Sequence, residues 1–117
     1  MVAGLIVKVD NFGFSLTFTI QNADGTPFDL TNLFPTFYVY TQEQDPTLLF
    51  YGACNVVGLP SAGICSYPVV AGNFSTTGTW SAEIEMTDTV PPLTPIATEI
   101  TTETFTINVI IRHPAIP

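Results

Sequence analysis

The chain has 117 residues and a formal net charge of −8; 10% of its residues are charged and 46% are hydrophobic. That length fits one domain, 1–117, able to bury roughly two-thirds of its unfolded surface without a metal or disulfide to hold it together. With Lys8 and Arg112 as its only permanent cations, it cannot lay a basic stripe along a phosphate backbone, which excludes nucleic-acid binding.

No run approaches the ~18 apolar residues of a membrane span. The start Met1-Val-Ala-Gly-Leu-Ile lacks the basic residues and long apolar region of a signal peptide, so the expectation is a chain that begins at its initiator Met and is made in a cytoplasm. An average soluble domain is about 25% charged. Here the surface must be largely Thr, Ser, Asn and Tyr, and surfaces of that kind tend to be covered by neighbours, which points to a homo-oligomer or an assembly. The acidic residues are spread along the chain and read as solvation of loops and strand faces.

In chain order, residues 2–9 read as an edge-like first strand, with Lys8 guarding it against stray pairing. Phe14, Leu16, Phe18 and Ile20 then alternate with Ser15, Thr17, Thr19 and Gln21, the period of a strand with one buried and one wet face. Asn22-Ala-Asp24-Gly25 supplies a turn, and Asp29-Leu-Thr-Asn32 a short helical turn or an Asx bend. Pro35–Tyr40 is the third strand, with Phe37 and Val39 on one parity and Tyr38 and Tyr40 on the other. After the polar loop Gln42–Pro46, residues 48–57 and 64–70 form a hairpin about Gly58-Leu-Pro-Ser-Ala-Gly63.

Symmetry about Leu59–Pro60 would set Cys54 opposite Cys65, which makes a disulfide possible; the parity of both cysteines also suits reduced core thiols acting as small hydrophobes, and the absence of an export signal favours the latter. Thr79–Asp88 is the next strand, with Trp80, Ala82, Ile84 and Met86 inward and Glu83 and Glu85 outward. Residues 89–97, with Pro91, Pro92 and Pro95, read as an extended crossing between sheets. Glu103–Arg112 is the last strand. Short strands at regular spacing without an amphipathic helix give an all-β sandwich of about seven strands.

Little in this pattern suggests chemistry. Glu83 and Glu85 share an outer face with nothing to raise a carboxyl pKa, so they are not read as a glycosidase pair. Asp24, Asp29 and Asp45 match no calcium loop and are explained by turns. His113 is the one histidine and lies in the tail, so neither Ser-His-Asp nor Cys-His chemistry is expected. No catalytic residue, cofactor or metal is assigned. The contact candidates are the aromatics on the exposed parity, Tyr38 with Tyr40 or else Phe37, together with Tyr51 and Phe74.

Taken together, Phe14-Ser-Leu-Thr-Phe-Thr-Ile, Asp24-Gly25-Thr-Pro27 with Asp29-Leu-Thr, Thr36-Phe-Tyr-Val-Tyr40, Gly63-Ile-Cys-Ser-Tyr67, Gly78-Thr-Trp80 with Ala82-Glu-Ile-Glu85, and Thr102-Glu-Thr-Phe-Thr-Ile-Asn-Val109 cover nearly the whole chain. In this order they resemble the immunoglobulin-like domain at the N-terminus of tailed-phage upper baseplate proteins, also found in short phage proteins encoded alone. The resemblance implies an immunoglobulin-like antiparallel β-sandwich that is a non-enzymatic structural or adaptor component of a virion. It would be assembled in the host cytoplasm, in the tail or baseplate, with itself and other virion proteins as partners. Unlike the baseplate proteins, this chain stops after the sandwich, which favours a small accessory role. The alternatives are a capsid decoration protein and a host-facing carbohydrate-binding or adhesion module. The latter would need exposed aromatics beside Asp or Asn, for which Asn73-Phe74 with Asp45 is the one hint.

Overall fold

The computed structural model describes residues 4–88, 99–102 and 105–110. They form an all-β sandwich. Its strands are β1 (Gly4–Lys8), β2 (Ser15–Thr19), β3 (Phe34–Tyr40), β4 (Leu48–Ala53), β5 (Asn55–Val56), β6 (Ile64–Pro68), β7 (Gly78–Thr87), β8 (Glu99–Thr101) and β9 (Phe105–Ile110), with a single 3-10 turn at Pro60–Ala62. A six-stranded sheet runs β1-β9-β7-β3-β4, with β8 also on β7, and a three-stranded sheet runs β2-β6-β5. The long β7 serves two neighbours along one edge, β9 at Gly78–Ala82 and β8 at Glu85–Thr87. Its other edge pairs with β3. The pair β1–β9 is parallel and all other strand pairs are antiparallel.

The core follows from period-2 alternation. From the large sheet, Phe37, Val39, Ala82, Ile84, Met86, Phe105, Ile107 and Val109 point inward; from the small sheet, Cys65, Tyr67 and Val69 meet them. Phe37 joins the layers, its ring centroid lying 5.2 Å from Phe18, 5.0 Å from Tyr67, 6.0 Å from Phe50 and 6.4 Å from Phe105. Such ring pairs add about 0.5–1.5 kcal/mol each beyond the area they bury. Along β2 and just past it the alternation is as expected, Leu16 and Phe18 half-buried and Ile20 buried, but Phe14, immediately before the strand, is exposed. Trp80, expected as a core anchor, is only half-buried and packs at the margin of the core.

Two expectations about the cysteine-bearing hairpin also need correction. The strand expected over 48–57 is two strands in different sheets, because Pro35 lacks the N–H that would complete its exchange with Cys54. Cys54 N–H donates to the Pro35 carbonyl at 2.9 Å, no bond can return, and the chain leaves the large sheet for the small one. The second correction concerns the cysteines. The 3-10 turn moves the hairpin's centre one residue later, so Cys65 faces Val56 and not Cys54, and both cysteines are buried free thiols. Cys54 remains within hydrogen-bonding reach of Cys65, and that contact together with burial pushes its thiol above the ordinary range. The strand β8 was not anticipated. The expected crossing at 89–97, and the ends of the strand expected at 103–112, lie outside the described residues.

Candidate functional site: a tyrosine–glutamate face

Alternation on β3 turns Phe37 and Val39 into the core and so places Tyr38 and Tyr40 on the outer face of the large sheet. Antiparallel register sets Tyr38 opposite Tyr51 on β4 and opposite Glu83 on β7, while Tyr40 faces Ser81 and Thr36 faces Glu85. The three rings form a nearly parallel ladder. Tyr38 and Tyr40 have centroids 6.3 Å apart at 12°, and Tyr38 and Tyr51 are 5.6 Å apart at 17°. Tyr51 is 62% exposed at the sheet edge. Of the four tyrosines, only Tyr67 points inward.

The phenols lean diagonally onto β7. Tyr40 Oη donates to Glu83 Oε1 at 3.3 Å, and Tyr38 Oη to Glu85 Oε1 at 3.5 Å, the long end of a hydrogen bond. Partial burial, then the negative charge of Glu85, pushes the Tyr38 phenol up to about 12; burial and Glu83 raise Tyr40 as well. Both rings are therefore neutral donors at physiological pH, and the Glu83 carboxylate keeps acceptor capacity for something else.

At one end of the ladder an open groove of about 390 Å³ lies between Tyr40, Pro46, Ser81 and Glu83. Its rim is fixed by the 41–47 loop, where Thr41 N–H donates to the Thr47 carbonyl and Thr47 N–H donates to Thr41 Oγ1, each at 2.9 Å.

Of the contact candidates, Tyr38, Tyr40 and Tyr51 come together on one face. Phe74 does not. It is 2% exposed, its ring set edge-on against Phe50 at 5.2 Å. Within the 71–77 loop Phe74 alone is buried and joins the core cluster, while the loop's Ser and Thr residues stay exposed. Asn73 is also committed, its Oδ1 accepting from Tyr67 Oη at 2.7 Å and Val70 N–H at 2.9 Å, so the Asn73–Phe74 hint of a glycan site does not survive.

Asp24 and Asp29 each use one carboxylate oxygen on a turn. Asp24 accepts from Thr26 N–H at 3.0 Å and Oγ1 at 2.6 Å; Asp29 accepts from Thr31 N–H at 2.9 Å and Oγ1 at 2.6 Å. Those bonds, the hydroxyl's foremost, lower both carboxyl pKa values. Among the described residues no three His, Cys, Asp or Glu side chains gather as a metal would require.

Sequence reading missed Pro46 and the link between the tyrosines and Glu83/Glu85. Both depend on which strand lies beside β3 and in what register, which no local pattern encodes. Compared with protein-family models and with curated proteins, the chain finds no match in either.

Proposed function

We propose that the chain is an immunoglobulin-like, non-enzymatic structural or adaptor component of a tailed-phage virion, in the tail or baseplate, that attaches to other virion proteins through the outer face of its large sheet. The observation that carries the attachment reading is the ladder of Tyr40, Tyr38 and Tyr51, large amphipathic rings held in fixed orientation on an exposed sheet face. Tyrosines of this kind supply contact area at little cost in conformational entropy.

The immunoglobulin-like assignment is supported by strand order. Matched in chain order to the variable-type arrangement, β2, β6 and β5 stand for strands B, E and D, and β9, β7, β3 and β4 for G, F, C and C′. Phe37 on β3 takes the central position that antibody domains give to Trp, and their disulfide between strands B and F has no counterpart here, since Cys54 and Cys65 lie on other elements. The placement in a tailed-phage particle rests on the resemblance of the ordered strand motifs.

Light scattering of the purified protein, alone and mixed with purified particles from its source, tests the proposal. A defined oligomer or saturable uptake on the particle supports it, with a stable contact burying about 800 Å² per partner. A persistent monomer that ignores the particle sinks it. Uptake by isolated heads and not by tails would move the assignment to capsid decoration.

A further inference from the structure

We infer that the groove between Tyr40, Pro46, Ser81 and Glu83 receives an arginine side chain from a partner protein; the inference rests on the attachment reading above and names the chemistry of the partner. The walls suit a guanidinium and its aliphatic stem. Among the lining residues Tyr40 supplies an aromatic ring, Pro46 an apolar ring, Glu83 a carboxylate, and Ser81 a hydroxyl that can accept. A planar guanidinium stacks on an aromatic ring while donating in its own plane to a carboxylate, which an ammonium cannot do. Tyr40 Oη already donates to Glu83 Oε1, which orients the carboxylate and leaves its second oxygen for the incoming donor.

Charge selects the same occupant. The groove lies in a negative field, with Glu85 next along β7 and Glu43 and Asp45 on the 41–47 loop beside Pro46. Of the two cations in the chain, Arg112 lies outside the described residues. Lys8 is on β1, three strands across from β3 and four residues along from the Ser81–Thr106–Gly4 row. At about 4.8 Å per strand and about 3.3 Å per residue, that is roughly 20 Å away, beyond the ~8 Å screening length at physiological salt. A second copy docking face to face would set carboxylates against carboxylates, so the occupant complementary to this face is a cationic segment of another protein.

The test is a titration of the ¹⁵N-labelled protein with the blocked peptide acetyl-Gly-Arg-Gly-amide, with its lysine counterpart and with maltotriose, following backbone amides. The expected result is saturable shifts confined to Tyr40, Ser81, Glu83 and the 41–47 loop, with the arginine peptide bound about fivefold or more tightly than lysine. Glu83→Gln should weaken it about tenfold with the rest of the spectrum intact. Should that variant disturb the sheet, Pro46→Ala on the exposed loop serves, with an expected loss of about threefold.

Equal response to arginine and lysine would reduce the effect to diffuse charge attraction and overturn the inference. So would groove shifts with maltotriose and none with arginine, which would assign the site to glycans, or a self-association abolished by Arg112→Gln, which would make the chain its own ligand. No particle is needed. Arginine binding without particle uptake would leave the groove standing and the virion reading refuted, and the reverse result would do the opposite.

Discussion

Gly63 sits where three segments meet, and replacing it with alanine should unfold the sandwich more readily than its turn position suggests. Its φ is +72°, and a Cβ there would lie 2.5 Å from the Ile20 carbonyl oxygen and 2.8 Å from that of Phe28. Both oxygens are backbone and cannot swing away. Gly63 itself closes the 3-10 turn by donating to the Pro60 carbonyl at 3.2 Å and accepts from Ile20 N–H at 2.7 Å, while Phe28 N–H donates to Ile20 at 2.9 Å. The left-handed backbone costs a non-glycine residue about 1–2 kcal/mol, and forcing a methyl into packed backbone about 1–3 kcal/mol more. The expected loss is about 2–5 kcal/mol from a total of about 5–15 kcal/mol, or about 8–20 °C in melting temperature at roughly 4 °C per kcal/mol. Gly58 is the control. Its φ is +67° but nothing lies within 4 Å of its Cβ position, so Gly58→Ala should lose only the backbone term, about 1–2 kcal/mol. Urea denaturation of both variants, read as a shift in midpoint at constant slope, measures the difference. Equal losses within about 0.5 kcal/mol would refute the packing of Ile20, Phe28 and the 3-10 turn into one junction.

Gly52→Ala should cost about 1–3 kcal/mol by overpacking, since its Cβ would stand 2.6 Å from Tyr67 Cε1; the same denaturation series with Tyr67→Leu in the background should recover much of it. The Tyr38 phenol, raised to about 12 by burial first and Glu85 next, retains its proton in the folded state where the unfolded chain has lost it, so stability should fall as pH rises from about 10 to about 12. Absorbance at 295 nm follows that ionisation, and Glu85→Gln should bring it to lower pH; an unchanged midpoint would dissociate the ring from the carboxylate. Asp24 and Asp29 have the opposite sign. Their carboxyls are lowered from 3.8, so their contribution is complete above that value and lost as pH falls through the lowered ones. Asp24→Asn with Asp29→Asn should flatten the acid limb of the stability curve below about pH 4 and lower stability at pH 7 by about the amount the parent protein loses through these two groups in acid.

The strands were legible because one-sided burial writes a period of two into the sequence: Leu16, Phe18 and Ile20, or Ala82, Ile84 and Met86, need no partner to be recognised. What the sequence hid is relational. Cys54 sits in an apolar run that reads as continuous strand, and only the missing N–H of Pro35, a residue far back in the chain, divides that run between two sheets. Cys65 faces Val56 because three residues of the connection coil into a 3-10 turn that shifts the register. Phe74 stands alone in a polar, glycine-flanked loop and looked wet, yet the loop folds inward around it. The tyrosine candidates were visible by parity, whereas their bonds to Glu83 and Glu85 depend on β7 lying beside β3.

The most direct test of the attachment face is hydroxyl-radical footprinting of the protein free and bound to purified particles. In the free protein Tyr51, 62% exposed, should oxidise readily and Tyr67, 5% exposed, slowly. On the particle the account requires Tyr51, Tyr38 and Tyr40 to be protected together while Phe12, equally open in the connection between β1 and β2, continues to react. Protection of Phe12 with Tyr51 still reactive would put the interface elsewhere and contradict it.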